Sequence, residues 1–146
     1  MNAIKIERAH LCEVAEIERE CFAEPWSASA LELLVGDAAT GAVCTENGRV
    51  VAYGGMLWAP DEGQITNIAV RAEHRGCGYG GAVLDCLLGE ARARRCETVS
   101  LEVRESNRAA IALYEKRGFF VAGKRKRFYK NPAEDALVMI LELNYE

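Results

Sequence analysis

The 146-residue sequence has few of the residues that usually hold a metal. It contains two histidines, His10 and His74, and its six cysteines (Cys12, Cys21, Cys44, Cys77, Cys86, Cys96) form no Cys-x-x-Cys pair. A zinc site, or any other metal site, is not expected. No apolar run approaches the length of a membrane span, and the opening residues MNAIKIERAHLCEV hold no hydrophobic stretch of the secretion-signal kind. No membrane role is expected, and a reduced cytoplasm is the expected setting, with most cysteines serving as small buried hydrophobes. Cys77 reads as loop filler. Excess positive charge is also absent: the net charge of −4 argues against bulk nucleic-acid binding. No Lys-Ser or Lys-Thr occurs, which excludes a P-loop. Repeats, linkers and low-complexity segments are missing too, so residues 1–146 read as one domain with a single good core.

The most informative stretch runs from Asn67 to Leu88, NIAVRAEHRGCGYGGAVLDCLL. Ile68-Ala69-Val70 is of strand type. Arg75-Gly76-Cys77-Gly78-Tyr79-Gly80-Gly81 is a glycine-rich turn, and Leu84, Leu87, Leu88 and Ala91 then follow at helical spacing. A strand, a glycine turn and a helix in succession suit a phosphate: the backbone can approach closely, and the free amides of the helix start favour an anion. Gly76-x-Gly78-x-x-Gly81 fits a dinucleotide fingerprint, with Glu102 as its acidic residue. However, a dinucleotide fold carries that loop after its first strand, and here several strands come first.

Those strands are legible. Ile4-Lys5-Ile6 predicts a short first strand. Leu11, Val14, Ile17, Cys21 and Phe22 share one helical face, and Glu24-Pro25-Trp26-Ser27 breaks that helix and starts another, ending at Gly36. Asn47-Gly48 between Ala42–Thr45 and Val50–Tyr53 predicts a type I′ hairpin. Pro60-Asp61-Glu62-Gly63 reads as a loop before the strand from Gln64 to Val70. Val99, Leu101 and Val103 alternate with Ser100, Glu102 and Arg104, so Glu102 lies opposite an apolar face. Strand, helix and strand with short links predict a parallel neighbouring pair. Ser106-Asn107 caps a helix that carries Ala110, Leu113 and Tyr114 on one side and stops at Gly118. Phe119–Tyr129 and Leu137–Leu143 are expected as the last strands.

Arg75-x-x-Gly78-x-Gly80 resembles the acetyl-coenzyme A loop of the GCN5-related N-acetyltransferase (GNAT) family. Asn107-Arg108-Ala109-Ala110-Ile111-Ala112-Leu113-Tyr114-Glu115-Lys116-Arg117-Gly118-Phe119 resembles that family's second cofactor segment, at the expected distance. The resemblance implies an α/β fold of the α+β mixed kind: a central, mostly antiparallel sheet splayed between strands four and five and flanked by about four helices. It implies acetyl-coenzyme A (acetyl-CoA) as co-substrate. Ile68, Ala69 and Val70, the loop Arg75, Gly76, Cys77, Gly78, Tyr79, Gly80, Gly81, and Asn107 would hold it. Pro25-Trp26-Ser27, Thr66–Val70, Leu101–Arg104 and Glu134-Asp135-Ala136 resemble more narrowly a bacterial branch that acetylates the N-terminal alanine of a small-subunit ribosomal protein. Arg127-Phe128-Tyr129-Lys130 departs from that branch's Asn-Tyr-Tyr-Pro where the acceptor is gripped.

Spacing leaves Glu102 open between a surface glutamate and a general base, and Tyr114 open between a core tyrosine and a general acid. The resemblance favours base and acid. An N-terminal amine, with a pKa of about 8 against about 10.4 for lysine, is within reach of a carboxylate base. Glu24, Glu134 and Asp135 would attract a positively charged peptide start. The basic run Lys124-Arg125-Lys126-Arg127 reads as a solvated edge strand, or as a contact with ribosomal RNA or with the phosphates of coenzyme A. Two other readings remain open here: the same fold acting on lysine side chains or small amines, and a non-catalytic acyl-coenzyme A sensor.

Overall fold

The structure is a computed structural model that describes residues 2–145. After the short strand β1 (Ala3–Lys5), helix α1 (Leu11–Cys21) turns Val14 and Ile17 into the core. The chain breaks at Pro25. Ser27 then caps α2 (Ala28–Leu31), its hydroxyl accepting from the Ala30 amide at 3.1 Å. The expected longer helix is a single α turn followed by a 3-10 turn, Glu32–Val35, which ends at Gly36. Strands β2 (Ala39–Glu46) and β3 (Arg49–Ala59) form the predicted hairpin, with Asn47 and Gly48 both at positive φ. The next turn is tighter than expected: β4 (Glu62–Val70) already begins at Glu62, because Asp61 takes a left-handed conformation and returns the chain at once.

Helix α3 (Tyr79–Ala93) follows the glycine turn and buries Val83, Leu84, Leu87, Leu88 and Ala91. Strand β5 (Thr98–Arg104), helix α4 (Arg108–Glu115), and strands β6 (Phe120–Tyr129) and β7 (Glu134–Glu142) complete the chain. The last strand opens at Glu134, three residues earlier than expected, since Tyr129 and Glu134 already pair across the turn. One mixed sheet results, in the order β1-β2-β3-β4-β5-β7-β6, antiparallel except for β4 beside β5. Four α-helices flank it among the described residues.

Alternation along the strands sends side chains to two cores. Ala52, Leu101, Val103 and Met139 pack with α3 and with Tyr114 of α4, whereas Val43, Tyr53 and Ala69 pack with α1 and Leu31. Gly54 lets α3 press on the sheet, since a Cβ there would lie 2.6 Å from the Val83 Cγ1. Two cysteines, Cys44 and Cys96, are buried; Cys21 and Cys86 are half-buried, and Cys12 and Cys77 are exposed, fewer buried than expected.

β6 forms the far edge of the sheet and is exposed along nearly its whole length. Its Lys124 pairs with Glu105 at 3.1 Å and its Arg125 with Glu102 at 3.5 Å, so half the basic run is engaged within the chain. β5, by contrast, is interior, so Glu102 is not on an edge strand.

Candidate active site

β4 and β5 pair only from Glu62–Gln64 to Thr98–Ser100. Beyond that they diverge, β4 continuing to Val70 and β5 to Arg104. The backbone edges facing one another across this V have no ladder partner. The Arg71 amide donates to the Val51 carbonyl at 2.9 Å, and the alternation of an antiparallel ladder then turns Ala69 toward β3 and Ile68 and Val70 toward the gap. Ala69, expected in the cofactor set, turns its backbone toward Tyr53 in the ladder and buries its side chain in the core on the α1 face. The Val70 carbonyl accepts from the Arg75 Nε at 3.0 Å, which ties the glycine turn to the strand and leaves the Val70 N–H for a ligand.

The glycine turn leads directly into the first turn of α3. Gly78 holds φ 93° at the start of α3, where a side chain would be strained, and no side chain caps the helix. The amides of Tyr79, Gly80 and Gly81 in the first turn lack intrahelical acceptors. The side chains do other work. Tyr79 turns away and donates to Glu46 Oε2 at 2.7 Å; that bond pushes its phenol up to about 12. Gly81 is buried against α4: a Cβ there would lie 2.7 Å from Arg117 Nη2, and Arg117 reaches Asp85 at 2.7 Å. The Cys77 thiol stays within the loop, 3.7 Å from the Arg75 carbonyl.

A cleft of about 360 Å³ opens in the V. Ile68, Glu102, Asn107 and Tyr114 all line it, with Trp26, Asn67 and Tyr129. Glu102 and Tyr114 reach it from opposite faces of the sheet. Leu101 and Val103 pack on the Tyr114 side, so Glu102 between them looks toward the α1–α2 side, where Phe22, Glu24 and Trp26 form the wall. Asn107 caps α4 by accepting from the Ala110 amide at 3.2 Å. Tyr114 is buried, its ring 5.6 Å from Phe119, and burial raises its phenol well above the ordinary value, with Tyr129 nearby as a lesser cause.

The β6–β7 turn closes the cleft and is clamped by Arg104, whose guanidinium donates to the Pro132 and Lys130 carbonyls at 2.9 Å and stacks 4.5 Å over the Tyr129 ring. Glu134 accepts from Arg104 at 3.3 Å and from the Ser106 amide at 2.6 Å; the Ser106 side chain first, then its amide and Arg104, hold the Glu134 carboxyl below the usual range.

Residues 11–119 match the acetyltransferase (GNAT) family. This chain belongs to that family. Among curated proteins, the [ribosomal protein bS18]-alanine N-acetyltransferase of Escherichia coli (strain K12) is 36% identical over 147 residues, covering 99% of each chain. The enzyme of the same name from Haemophilus influenzae is 33% identical, covering 92% of this chain and 94% of its own. Among solved structures, the ribosomal-protein-S18-alanine N-acetyltransferase from Escherichia coli superposes with a TM-score of 0.90 at 34% identity, covering 99% of this chain and 95% of that one. The NatC complex bound to Gag peptide and CoA shares the GNAT fold at 22% identity, with a TM-score of 0.82. As in the family expectation, the mixed sheet of this GNAT chain is splayed between strands four and five.

One feature of the GNAT cleft escaped the sequence. Glu18 is fully buried, and its carboxylate accepts from the Trp26 amide at 2.7 Å, from Asn67 Nδ2 at 3.1 Å and from the Tyr53 hydroxyl. The available signal was position: four residues after Val14 and three before Cys21, Glu18 sits on the apolar stripe of α1, where a charge is out of place.

Proposed function

We propose that this protein transfers an acetyl group from acetyl-CoA to the N-terminal α-amine of a protein that starts with alanine, a small-subunit ribosomal protein as in its bS18-acetylating relatives. One observation carries the chemistry: Glu102 and Tyr114 enter one cleft from opposite faces of the sheet, at the point where β4 and β5 part. The residues present fit the co-substrate. The Ile68 backbone and the Val70 N–H would bond its extended arm, with Asn107 assisting. The amides of the loop from Gly76 to Gly81, with the α3 dipole behind them, would take its pyrophosphate.

The acceptor amine arrives on the Glu102 side. Glu102 takes its proton, directly or through one water, as the nitrogen–carbon bond forms. The carbon–sulfur bond then breaks, and Tyr114 supplies the proton that the departing thiolate needs. A phenol raised by burial remains protonated at neutral pH and is therefore available to donate. Tyr129, Arg104 and Glu134 support the wall where the acceptor peptide would lie. A peptide amine with a pKa near 8 suits this single-carboxylate base better than a lysine amine near 10.4, a gap worth roughly 3 kcal/mol. With ribosomal proteins as acceptors, the cytoplasm is the site of action.

The test is a competition: an alanine-start peptide with an internal lysine is incubated with protein and acetyl-CoA, and the product is mapped by mass spectrometry. Acetylation at the terminus alone is expected. Acetyl groups on the lysine but not the terminus overturn the acceptor assignment. Binding of acetyl-CoA without thiol release would instead mark a sensor.

A further inference from the structure

We propose that Glu18 is the positioning residue of the acceptor wall, holding Trp26 and Asn67 in register although it touches no substrate itself. This rests on the acetyl-transfer reading above. The carboxylate is fully buried, and no lysine, arginine or histidine lies within ion-pair distance of it among the described residues. An unpaired buried carboxylate is costly, and an apolar residue would fit the stripe of α1 without that cost. The carboxylate has instead gathered neutral donors from three separate elements: the Trp26 amide in the α1–α2 connection, the Tyr53 hydroxyl on β3 and the Asn67 amide on β4.

Two of those donors line the cleft, whereas Glu18 and Tyr53 stand behind it. Asn67 sits at an irregularity. Gly54 pairs with Ile68 and Met56 with Ile65, so Gly55 alone faces Thr66 and Asn67. A bulge of this kind redirects a side chain, and Gly55 permits it, since a Cβ there would lie 2.7 Å from the Thr66 hydroxyl. The redirected Asn67 and the Pro25-Trp26 corner belong to elements far apart in the chain, and Glu18 is the shared anchor. Carboxylate oxygens with several lone pairs can accept from all three donors at once, whereas a neutral amide presents only one acceptor atom. The cofactor loop lies outside this cluster, so its loss should be felt by the acceptor and not by acetyl-CoA.

The experiment measures steady-state kinetics with an alanine-start peptide and acetyl-CoA for wild type, Glu18→Gln, Asn67→Ala and the double variant. Each single change is expected to raise the peptide KM tenfold or more while the acetyl-CoA KM stays within twofold. The double variant is expected to be no worse than the more impaired single variant within twofold, because both changes break the same anchored cluster. Multiplied effects in the double variant, a parallel rise in both KM values, or an unmoved peptide KM would each overturn the assignment. If Glu18→Gln does not fold, Asn67→Ala and Tyr53→Phe carry the test, and an unchanged peptide KM in Asn67→Ala overturns it. A wild type without turnover sinks the activity reading and this one with it; an active wild type with indifferent variants sinks this one alone.

Discussion

Replacing Tyr114 by phenylalanine separates a catalytic phenol from a packing one. The side chain is 6% exposed and its ring is held by Phe119 at 5.6 Å. No hydrogen bond to its hydroxyl occurs among the described residues, and the raised phenol traces to burial and to Tyr129. Removing the oxygen therefore breaks no internal bond and leaves only a small void, a cost below about 1 kcal/mol. That corresponds to a loss of under about 4 °C in melting temperature for a chain of this size. If the hydroxyl is the acid that meets the departing thiolate, turnover should fall by roughly a hundredfold to ten-thousandfold, about 2.7 to 5.4 kcal/mol at 1.36 kcal/mol per tenfold. The acetyl-CoA Kd should be nearly unchanged. The assay is thiol release at saturating acetyl-CoA and alanine-start peptide, paired with a melting scan. A kcat within threefold of wild type at every pH refutes the acid role. A large loss of turnover accompanied by a melting drop of more than about 10 °C makes the residue structural.

Three further outcomes are expected. Glu102→Gln should cut kcat and flatten the acid limb of the pH profile while the melting temperature barely moves. Its ion pair with the 59%-exposed side chain of Arg125 is solvent-screened and worth little, and an unaltered acid limb would place the base elsewhere. Gly78→Asp should cost about 1 kcal/mol or somewhat more of backbone strain at φ 93° yet abolish the stabilisation by acetyl-CoA, about 2.7 kcal/mol at a hundredfold excess over Kd; a retained melting shift would remove the loop from the cofactor site. Finally, burial raises the phenols of Tyr53 and Tyr114 above the ordinary value near 10. At neutral pH the folded and unfolded chains hold these protons equally. Above about pH 10 only the unfolded chain sheds them, so unfolding free energy should fall with pH, by up to about 1.36 kcal/mol per unit per tyrosine. Alkaline melting curves of Tyr114→Phe should show a shallower fall, and an unchanged slope would contradict the assignment.

Local chemistry was legible in the chain itself. Asn47-Gly48 adopts the positive φ pair of its hairpin, Asn107 caps α4, Gly118 ends it at φ 97°, and the Leu84–Ala91 stripe of α3 is buried. Each of these depends on residues a few positions apart, so turn geometry and periodicity suffice. The family resemblance added the splayed sheet and brought Glu102, Tyr114, Ile68 and Asn107 to one cleft.

Only the tertiary structure decided the rest, because each remaining feature is a relation between distant segments. The insertion of β7 between β5 and β6 makes β5 interior and lets Arg125 reach Glu102. Ladder parity, set by the pairing of β4 with β3, turns Ala69 into the core and leaves Ile68 at the gap. The buried Glu18 is unremarkable in sequence beyond its place on an apolar stripe. Its meaning appears only when folding brings Trp26, Tyr53 and Asn67 to one carboxylate, since no local pattern encodes which donors will satisfy a charge removed from water.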